Sequence, residues 1–135
     1  MADTFKFELV SPEKLLVSED AEWAVIPGSE GEMTVLPQHA PVMSTLKPGV
    51  ISVKQAGGGE ERFAVFGGFV DILPDACTVL AESALPVSEL NREEMAQRIE
   101  AVRGQIAAAS SDEERASAEQ FLHQLTTLEQ AIIPA

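Results

Sequence analysis

Short apolar segments separated by turn residues run from residue 4 to about residue 84, and the first of them alternates apolar and polar residues with a period of two. Phe5, Phe7 and Leu9 are separated by charged residues, so their side chains share one face of a strand. Further apolar runs that predict strands cover residues 23–26, 50–53, 62–66, 69–73 and 78–81. Turn-forming glycines and prolines separate these runs. Short strands at such regular spacing are typical of a β-sandwich or flattened barrel.

A helical period replaces the alternation after Pro86. Residues 88–91 (SELN) offer capping groups, and the break at residues 107–112 makes Ser111 or Asp112 the expected N-cap of a second helix. Two apolar stripes at helical spacing follow these caps: Met95, Ile99, Val102 and Ile106, then Phe121, Leu122, Leu125, Leu128 and Ile132. The sequence predicts an α+β chain with two domains, a β-sandwich docking domain at residues 1–86 and an antiparallel two-helix hairpin at residues 87–135.

Residues 28–32 (GSEGE) form the most distinctive segment of the first domain. Two glycines among acidic residues predict a tight turn that faces solvent, and the prolines of residues 36–41 (LPQHAP) predict a loop after it. This arrangement resembles a shaped surface loop on a rigid sheet, which suits docking to another protein. The candidate docking residues are Ser29, Glu30, Gly31, Glu32 and His39.

Gly67 and Gly68 interrupt an apolar segment between Phe66 and Phe69. One interpretation is a bulge or sharp corner between strands, and the alternative is that another backbone packs closely there. We expect one of the two glycines to have a positive φ, with Phe66 and Phe69 anchored in the core.

Composition narrows the classes of partner. Nine basic and 22 acidic residues give a net charge of −13, which argues against binding to nucleic acid or anionic lipid and favours a basic protein surface. The single cysteine, Cys77, excludes an internal disulfide and suits a reducing compartment. The sequence shows no apolar run of the roughly 20 residues that span a bilayer, and no signal-peptide pattern. We therefore expect a cytosolic chain, or one held at a membrane through partners without insertion into lipid.

The sequence offers little for catalysis. His39 and His123 lie in different predicted domains, Cys77 has no partner at metal-ligand spacing, and the motifs HExxH, GxSxG and GxxxxGK[ST] are absent. We expect no catalytic residue, no metal site and no cofactor.

Five segments together resemble the epsilon subunit of bacterial F-type ATP synthases. They are GSEGE, LPQHAP, residues 46–49 (LKPG), residues 66–69 (FGGF) and residues 78–82 (TVLAE). The resemblance implies a non-catalytic rotor subunit of the central stalk, which docks the gamma subunit to the loops of the c-ring and couples proton flow to ATP synthesis. It also implies that residues 29–32 face the c-ring, and a location at the cytoplasmic face of the bacterial inner membrane.

The predicted hairpin departs from the pattern of this family. In many members it extends toward the catalytic alpha and beta subunits and inhibits ATP hydrolysis through basic residues. Here residues 112–135 contain one arginine, Arg115, and five acidic residues. In the short motif of the ATP-binding members, Asn91 replaces an aspartate and Glu94 replaces an arginine. We expect little ATP binding and a weak or absent inhibitory role.

The alternative function is a free-standing regulatory or chaperone-like module that binds proteins through its helices. Such a module predicts a wide exposed apolar face on the hairpin.

Overall fold

The computed structural model describes residues 3–132 of the chain. They divide into two compact units, of which the first ends at Pro86 and the second begins at Val87. In the described residues the first unit contains nine strands: β1 Phe5–Val10, β2 Leu15–Gly28, β3 Gly31–Val35, β4 Val42–Leu46, β5 Gly49–Gln55, β6 Glu60–Val65, β7 Gly68–Ile72, β8 Ala76–Ala81 and β9 Ala84–Pro86.

The long strand β2 joins two groups of strands. Its first half pairs antiparallel with β1, and its second half pairs antiparallel with β3 and β5. On the other side of β1, β8 runs parallel to it and is followed by β7 and β4. Beyond β5 the sheet continues through β6 to β9. Because β1 contacts both β2 and β8, the sheet curls around a single interior.

Alternate side chains fill this interior. In β1 the inward residues are Phe5, Phe7 and Leu9, as the alternation predicts. The other strands add inward aliphatic residues at the same period, among them Ile26, Ile51, Val53, Val70, Ile72 and Val79. Burying a large aliphatic side chain contributes roughly 1.5–3 kcal/mol, so this core holds the strands in register.

Each strand predicted from the sequence is present, but the sheet is larger than the alternation predicts. The first half of β2, together with β3, β4 and β9, was not among the predicted strands. Residues 18–22 of β2 are mostly polar, and Ser44 and Thr45 interrupt the apolar residues of β4, so neither segment forms an apolar run. These segments are strands because apolar neighbours distant in the sequence pair with them.

The second unit consists of a 3₁₀ turn at Val87–Glu89 and the helices α1 Arg92–Ala108 and α2 Asp112–Ile132. The three-residue link at residues 109–111 turns α2 back along α1, and the two helices pack on each other. Met95, Ile99 and Val102 of α1 are buried, as are Leu125 and Leu128 of α2. Ile106, Phe121 and Leu122 are half-buried. The side chain of Ile132 lies outside the described residues.

Both helices begin at capping groups. The Oδ1 of Asn91 accepts a hydrogen bond from the Glu94 N–H at 2.8 Å. The Oγ of Ser111 accepts from the Glu114 N–H at 3.1 Å, so of the two residues considered Ser111 is the cap of α2. Hydrogen bonds from the Ser110 N–H and hydroxyl to the Glu114 carboxylate hold the pKa of Glu114 below its usual range. The predicted α+β fold, a β-sandwich followed by two helices, is confirmed.

Gly67 and Gly68 form the corner that leads into β7. Their φ angles are 107° and 130°, in the region that L side chains rarely adopt. A Cβ on Gly68 would also overlap the Leu80 carbonyl oxygen and lie 2.9 Å from the Ala81 Cα. The sharp corner and the close backbone approach, considered above as alternatives, therefore occur together.

The two phenylalanines beside this corner differ. Phe66 is buried, whereas the side chain of Phe69 is 54% exposed. The expectation that both are anchored in the core is therefore wrong for Phe69. The inward positions of β7 are Val70 and Ile72, so the alternation turns Phe69 outward.

We expect Gly68→Val to lower the free energy of unfolding by roughly 1–3 kcal/mol or more, because it combines backbone strain with overlap on β8. Denaturant unfolding of the full chain measures this loss. Gly59→Val is the matched control, since Gly59 has open space around its Cβ position and no positive φ. Equal stability of the two variants would contradict the explanation.

Candidate docking surfaces

The acidic turn, residues 29–32, joins β2 to β3 on a rigid backbone. Gly28 pairs with Gly31, which leaves Ser29 and Glu30 as a two-residue loop. Gly31 has a φ of 133°. The Ser29 N–H donates a hydrogen bond to the Thr45 carbonyl at 2.9 Å and ties the turn to β4. The exposed carboxylates of Glu30 and Glu32 are thus carried at defined positions.

A cleft of about 280 Å³ opens beside the acidic turn, between β3 and β4. Its floor includes Met33 and Val42, and its rim includes Glu30, Glu32 and Met43. The side chain of Met43 is 73% exposed, so an apolar contact lies next to the two carboxylates. This combination suits a partner loop that carries a basic residue next to an apolar one.

His39 lies away from the acidic turn. It follows β3, whose five residues span about 13 Å at 3.3 Å per residue. The neighbouring Gln38 donates its N–H to the Pro74 carbonyl at 2.8 Å, which places this loop beside the β7–β8 turn. The Nδ1 of His39 is 2.7 Å from the Ala40 carbonyl oxygen. Of the five candidate docking residues, the structure brings Ser29, Glu30, Gly31 and Glu32 together and places His39 at the opposite end of β3.

A row of apolar side chains crosses the outer face of the sandwich. Leu15 of β2 pairs with Val10 of β1, Val10 pairs with Leu80 of β8, and Leu80 pairs with Phe69 of β7. We call these four residues the apolar row. Directly paired residues project to the same face of a sheet, so the row is continuous. Leu15, Phe69 and Leu80 are each more than half exposed.

Three residues of the apolar row line a groove of about 330 Å³, and the row ends close to the acidic turn. Val10, Phe69 and Leu80 form the walls of the groove, with the Ser11–Pro12 loop and Glu82 at its edges. Phe69 pairs with Thr45, the residue whose carbonyl accepts the hydrogen bond from Ser29. An apolar surface and an acidic turn therefore occupy the same end of the first unit.

Sequence reasoning missed the apolar row, although a signal for part of it was present. In β8 the inward residues Cys77, Val79 and Ala81 leave Leu80 in an outward position. Val10 follows the inward residues of β1 in the same way. An apolar residue in the polar register of a strand marks exposed apolar surface. These outward residues are neighbours because β1 and β8 pair in parallel, and the alternation does not predict that pairing.

The described residues provide little chemistry for catalysis. Cys77 is buried. This burial, and to a smaller extent the negative charge of Asp71, raises the pKa of the Cys77 thiol to about 12. The reactive thiolate form is therefore scarce. Within residues 3–132 we find no group of three or more His, Cys, Asp and Glu side chains arranged to hold a metal. The described helices include none that is long and apolar enough to cross a membrane.

Asn91 and Glu94, which occupy the altered nucleotide motif, have structural roles at the start of α1. Asn91 caps the helix through the Glu94 N–H. The Glu94 carboxylate lies 3.5 Å from the Arg98 guanidinium, one helical turn later. The residue at position 94 is therefore a carboxylate engaged within α1 and not a cation.

Comparison with known proteins identifies the family of the chain. The family model described as the ATP synthase delta/epsilon chain β-sandwich domain matches residues 4–87. An ATP synthase epsilon chain of Mesorhizobium japonicum is 62% identical over 135 residues, which cover all of both chains. The chain belongs to the ATP synthase epsilon-chain family. The resemblance inferred from five short segments is thus confirmed.

Other members of the epsilon-chain family show the same full-length match. The epsilon chain of Rhizobium meliloti is 56% identical over 135 residues, again with all of both chains covered. A chain in a cryo-EM structure of the Euglena gracilis mitochondrial ATP synthase, containing OSCP, F1 and the c-ring, superposes with a TM-score of 0.75 at 25% identity. The superposition covers 96% of this chain and 81% of the Euglena chain. The family model ends at residue 87, whereas the full-length relatives also match both helices.

Proposed function

We propose that this chain is a non-catalytic rotor subunit of a proton-translocating ATP synthase, which docks the gamma subunit to the c-ring and helps to couple proton flow to ATP synthesis. The observation that carries the proposal is the placement of the acidic turn and the apolar row at one end of a rigid sandwich. Family membership supports a place in the central stalk. Two surfaces of different chemistry suit a subunit that contacts two partners at once.

In this proposal the acidic turn contacts basic loops of the c-ring. Glu30 and Glu32 are exposed and held by a two-residue hairpin, so little conformational entropy is lost on binding. The net charge of −13 attracts basic partner surfaces at long range. The subunit is held at the cytoplasmic face of the bacterial inner membrane through these contacts and not through lipid.

The apolar row suits the gamma subunit, because a lasting contact between rotor subunits is expected to bury apolar surface. The row is bordered on the same face by Glu8 and Asp71. We therefore expect the gamma surface to present apolar side chains flanked by basic ones. His39, at the other end of β3, belongs to the wider gamma contact in this proposal.

The helical hairpin has a weak or absent inhibitory role in this proposal, and any contact with the alpha and beta subunits is minor. Asp112 and Glu113 are exposed in the first turn of α2, and like charges across an interface can cost several kcal/mol. The free-standing module is disfavoured because the large exposed hydrophobic side chains of the described residues all lie in the sandwich: Leu15, Leu36, Met43, Phe69, Leu73 and Leu80.

Glu32→Lys should weaken coupling, because it places a cation against basic loops of the c-ring while leaving the sandwich folded. The measurement is ATP synthesis at a fixed proton gradient in membrane vesicles, compared with proton leak. Glu60→Lys, an exposed change of equal charge in the β5–β6 hairpin, is the control and should leave synthesis unchanged. Normal synthesis with Glu32→Lys would count against the assignment of the acidic turn.

Leu80→Glu should weaken binding to the gamma subunit by about 1.5–3 kcal/mol, or roughly 10- to 100-fold in affinity, because an apolar contact is lost. Calorimetry with purified gamma subunit measures the change. Leu36→Glu is the matched control, since Leu36 and Leu80 are both 53% exposed and Leu36 lies outside the row. If both variants bind like the unmodified chain, the gamma contact lies elsewhere.

Truncation after Val87 should leave ATP hydrolysis by the reassembled enzyme nearly unchanged, and calorimetry of the full chain should show no micromolar ATP binding. The physical reasons are that the acidic second helix does not favour contact with an acidic partner surface, and that a carboxylate at residue 94 stands where the nucleotide motif has an arginine. The double variant Asn91→Asp, Glu94→Arg restores the charges of the motif while retaining a capping residue, and should bind ATP more tightly. A large rise in hydrolysis on truncation would overturn this part of the proposal.

A further inference from the structure

Two glutamates face the interior of the sandwich from strands that are not neighbours. Glu19 of β2 pairs with Phe7 of β1, and Glu61 of β6 pairs with Val53 of β5. Phe7 and Val53 are fully buried, and directly paired residues share a face of the sheet. Both carboxyl groups therefore point inward, at partly buried positions where aliphatic or aromatic side chains are usual.

The carboxyl groups of Glu19 and Glu61 lie within hydrogen-bonding reach of each other. The Oε1 of Glu19 is buried and receives no hydrogen bond from the described residues. Two ionised carboxylates offer only acceptors, so a hydrogen bond between them requires one proton. Three effects raise the pKa of Glu19 above its usual value of 4.5: burial is the largest, and the charge of Glu61 and this hydrogen bond follow.

Among the residues that the structure describes on β1, β2, β5, β6 and β8, no inward position carries a compensating cation. On β6 the next inward residue is Phe63, and on β8 the neighbour of Phe7 is Cys77, whose thiol is neutral. Lys54 projects from the opposite face of β5. Its ammonium group donates a hydrogen bond to the Gly58 carbonyl oxygen at 2.6 Å and forms an ion pair with the Glu22 carboxylate at 3.4 Å. The remaining charged residues near Glu19 and Glu61 on these strands occupy outward positions: Lys6, Glu8, Asp20, Glu60 and Arg62.

We propose that Glu19 and Glu61 form a proton-binding pair that shares one proton, and that loss of this proton weakens the attachment of β6 to the rest of the sandwich. Glu19 belongs to the strand that joins the two halves of the sheet, and Glu61 belongs to the strand beyond β5. A shared proton links the two strands across the interior. With both carboxyl groups ionised, the same contact becomes a repulsion in a partly desolvated setting.

The direction of the pH effect follows from linkage. Because the pKa of Glu19 is higher in the folded chain than in the unfolded chain, the folded chain binds more protons above pH 4.5. The stabilisation is fully present below the unfolded value and is lost as the pH rises through the folded value. This contribution therefore has the opposite sign to that of a carboxylate held by a salt bridge.

Carbon-13 NMR of the side-chain carboxyl groups in the full chain tests the shared proton. In the unmodified chain, Glu19 should titrate above 4.5. Glu61→Gln should shift the titration midpoint of Glu19 downward, because the repelling charge is removed and the new amide can donate a hydrogen bond to the Glu19 carboxylate. Glu60→Gln, an exposed change on the same strand, should leave the midpoint unchanged. A normal midpoint for Glu19, or one that Glu61→Gln does not move, would overturn the proposal.

Denaturant unfolding and amide exchange test the structural consequence. As the pH rises from 4.5, Glu19→Gln should lose less stability than the unmodified chain, because the repulsion between two ionised carboxylates is gone. Raising the pH should reduce the protection of β6 amides more than that of β7 amides in the unmodified chain, and Glu19→Gln should remove this difference. Parallel pH profiles for the two proteins, or equal effects on β6 and β7, would show that the pair does not link the strands.

Discussion

Burial of alternate side chains in one apolar interior is the interaction on which the rest of the sandwich depends. Phe7, Leu9, Val70 and Val79 are fully buried on three adjacent strands. A slip of one residue in any of these strands would expose its apolar set, so the register is firmly specified. The same register turns Val10, Phe69 and Leu80 outward. The apolar row is thus a direct consequence of how the core is packed.

Features that depend on neighbouring residues could be predicted from the sequence. The alternation in β1, the helical stripes and the caps at Asn91 and Ser111 are local patterns, and the structure contains them. The strand β4 and the length of β2 depend on pairing between distant segments. A sequence pattern specifies which side chains share a face but not which strand lies beside another.

The candidate sites show the same limit. The acidic turn could be located because glycines and carboxylates mark it within a few residues. His39 was grouped with it by closeness in sequence, although β3 carries the chain away between them. Asn91 and Glu94 were interpreted through a nucleotide motif, whereas the structure adds a helix cap and an ion pair with Arg98. Capping by asparagine or aspartate is nearly equivalent, so the cap is compatible with either residue.

The double pairing of β1 has a consequence for how the outer face recognises other molecules. β1 is paired by β2 and β8, β8 by β1 and β7, and β7 by β8 and β4. The strands that carry Val10, Leu80 and Phe69 thus have neighbours on both sides, and their backbone N–H and C=O groups are occupied within the sheet. A molecule on this face cannot add a strand to it and must be selected by side-chain shape and charge alone. Recognition here can therefore change through single surface substitutions without any change in the sheet.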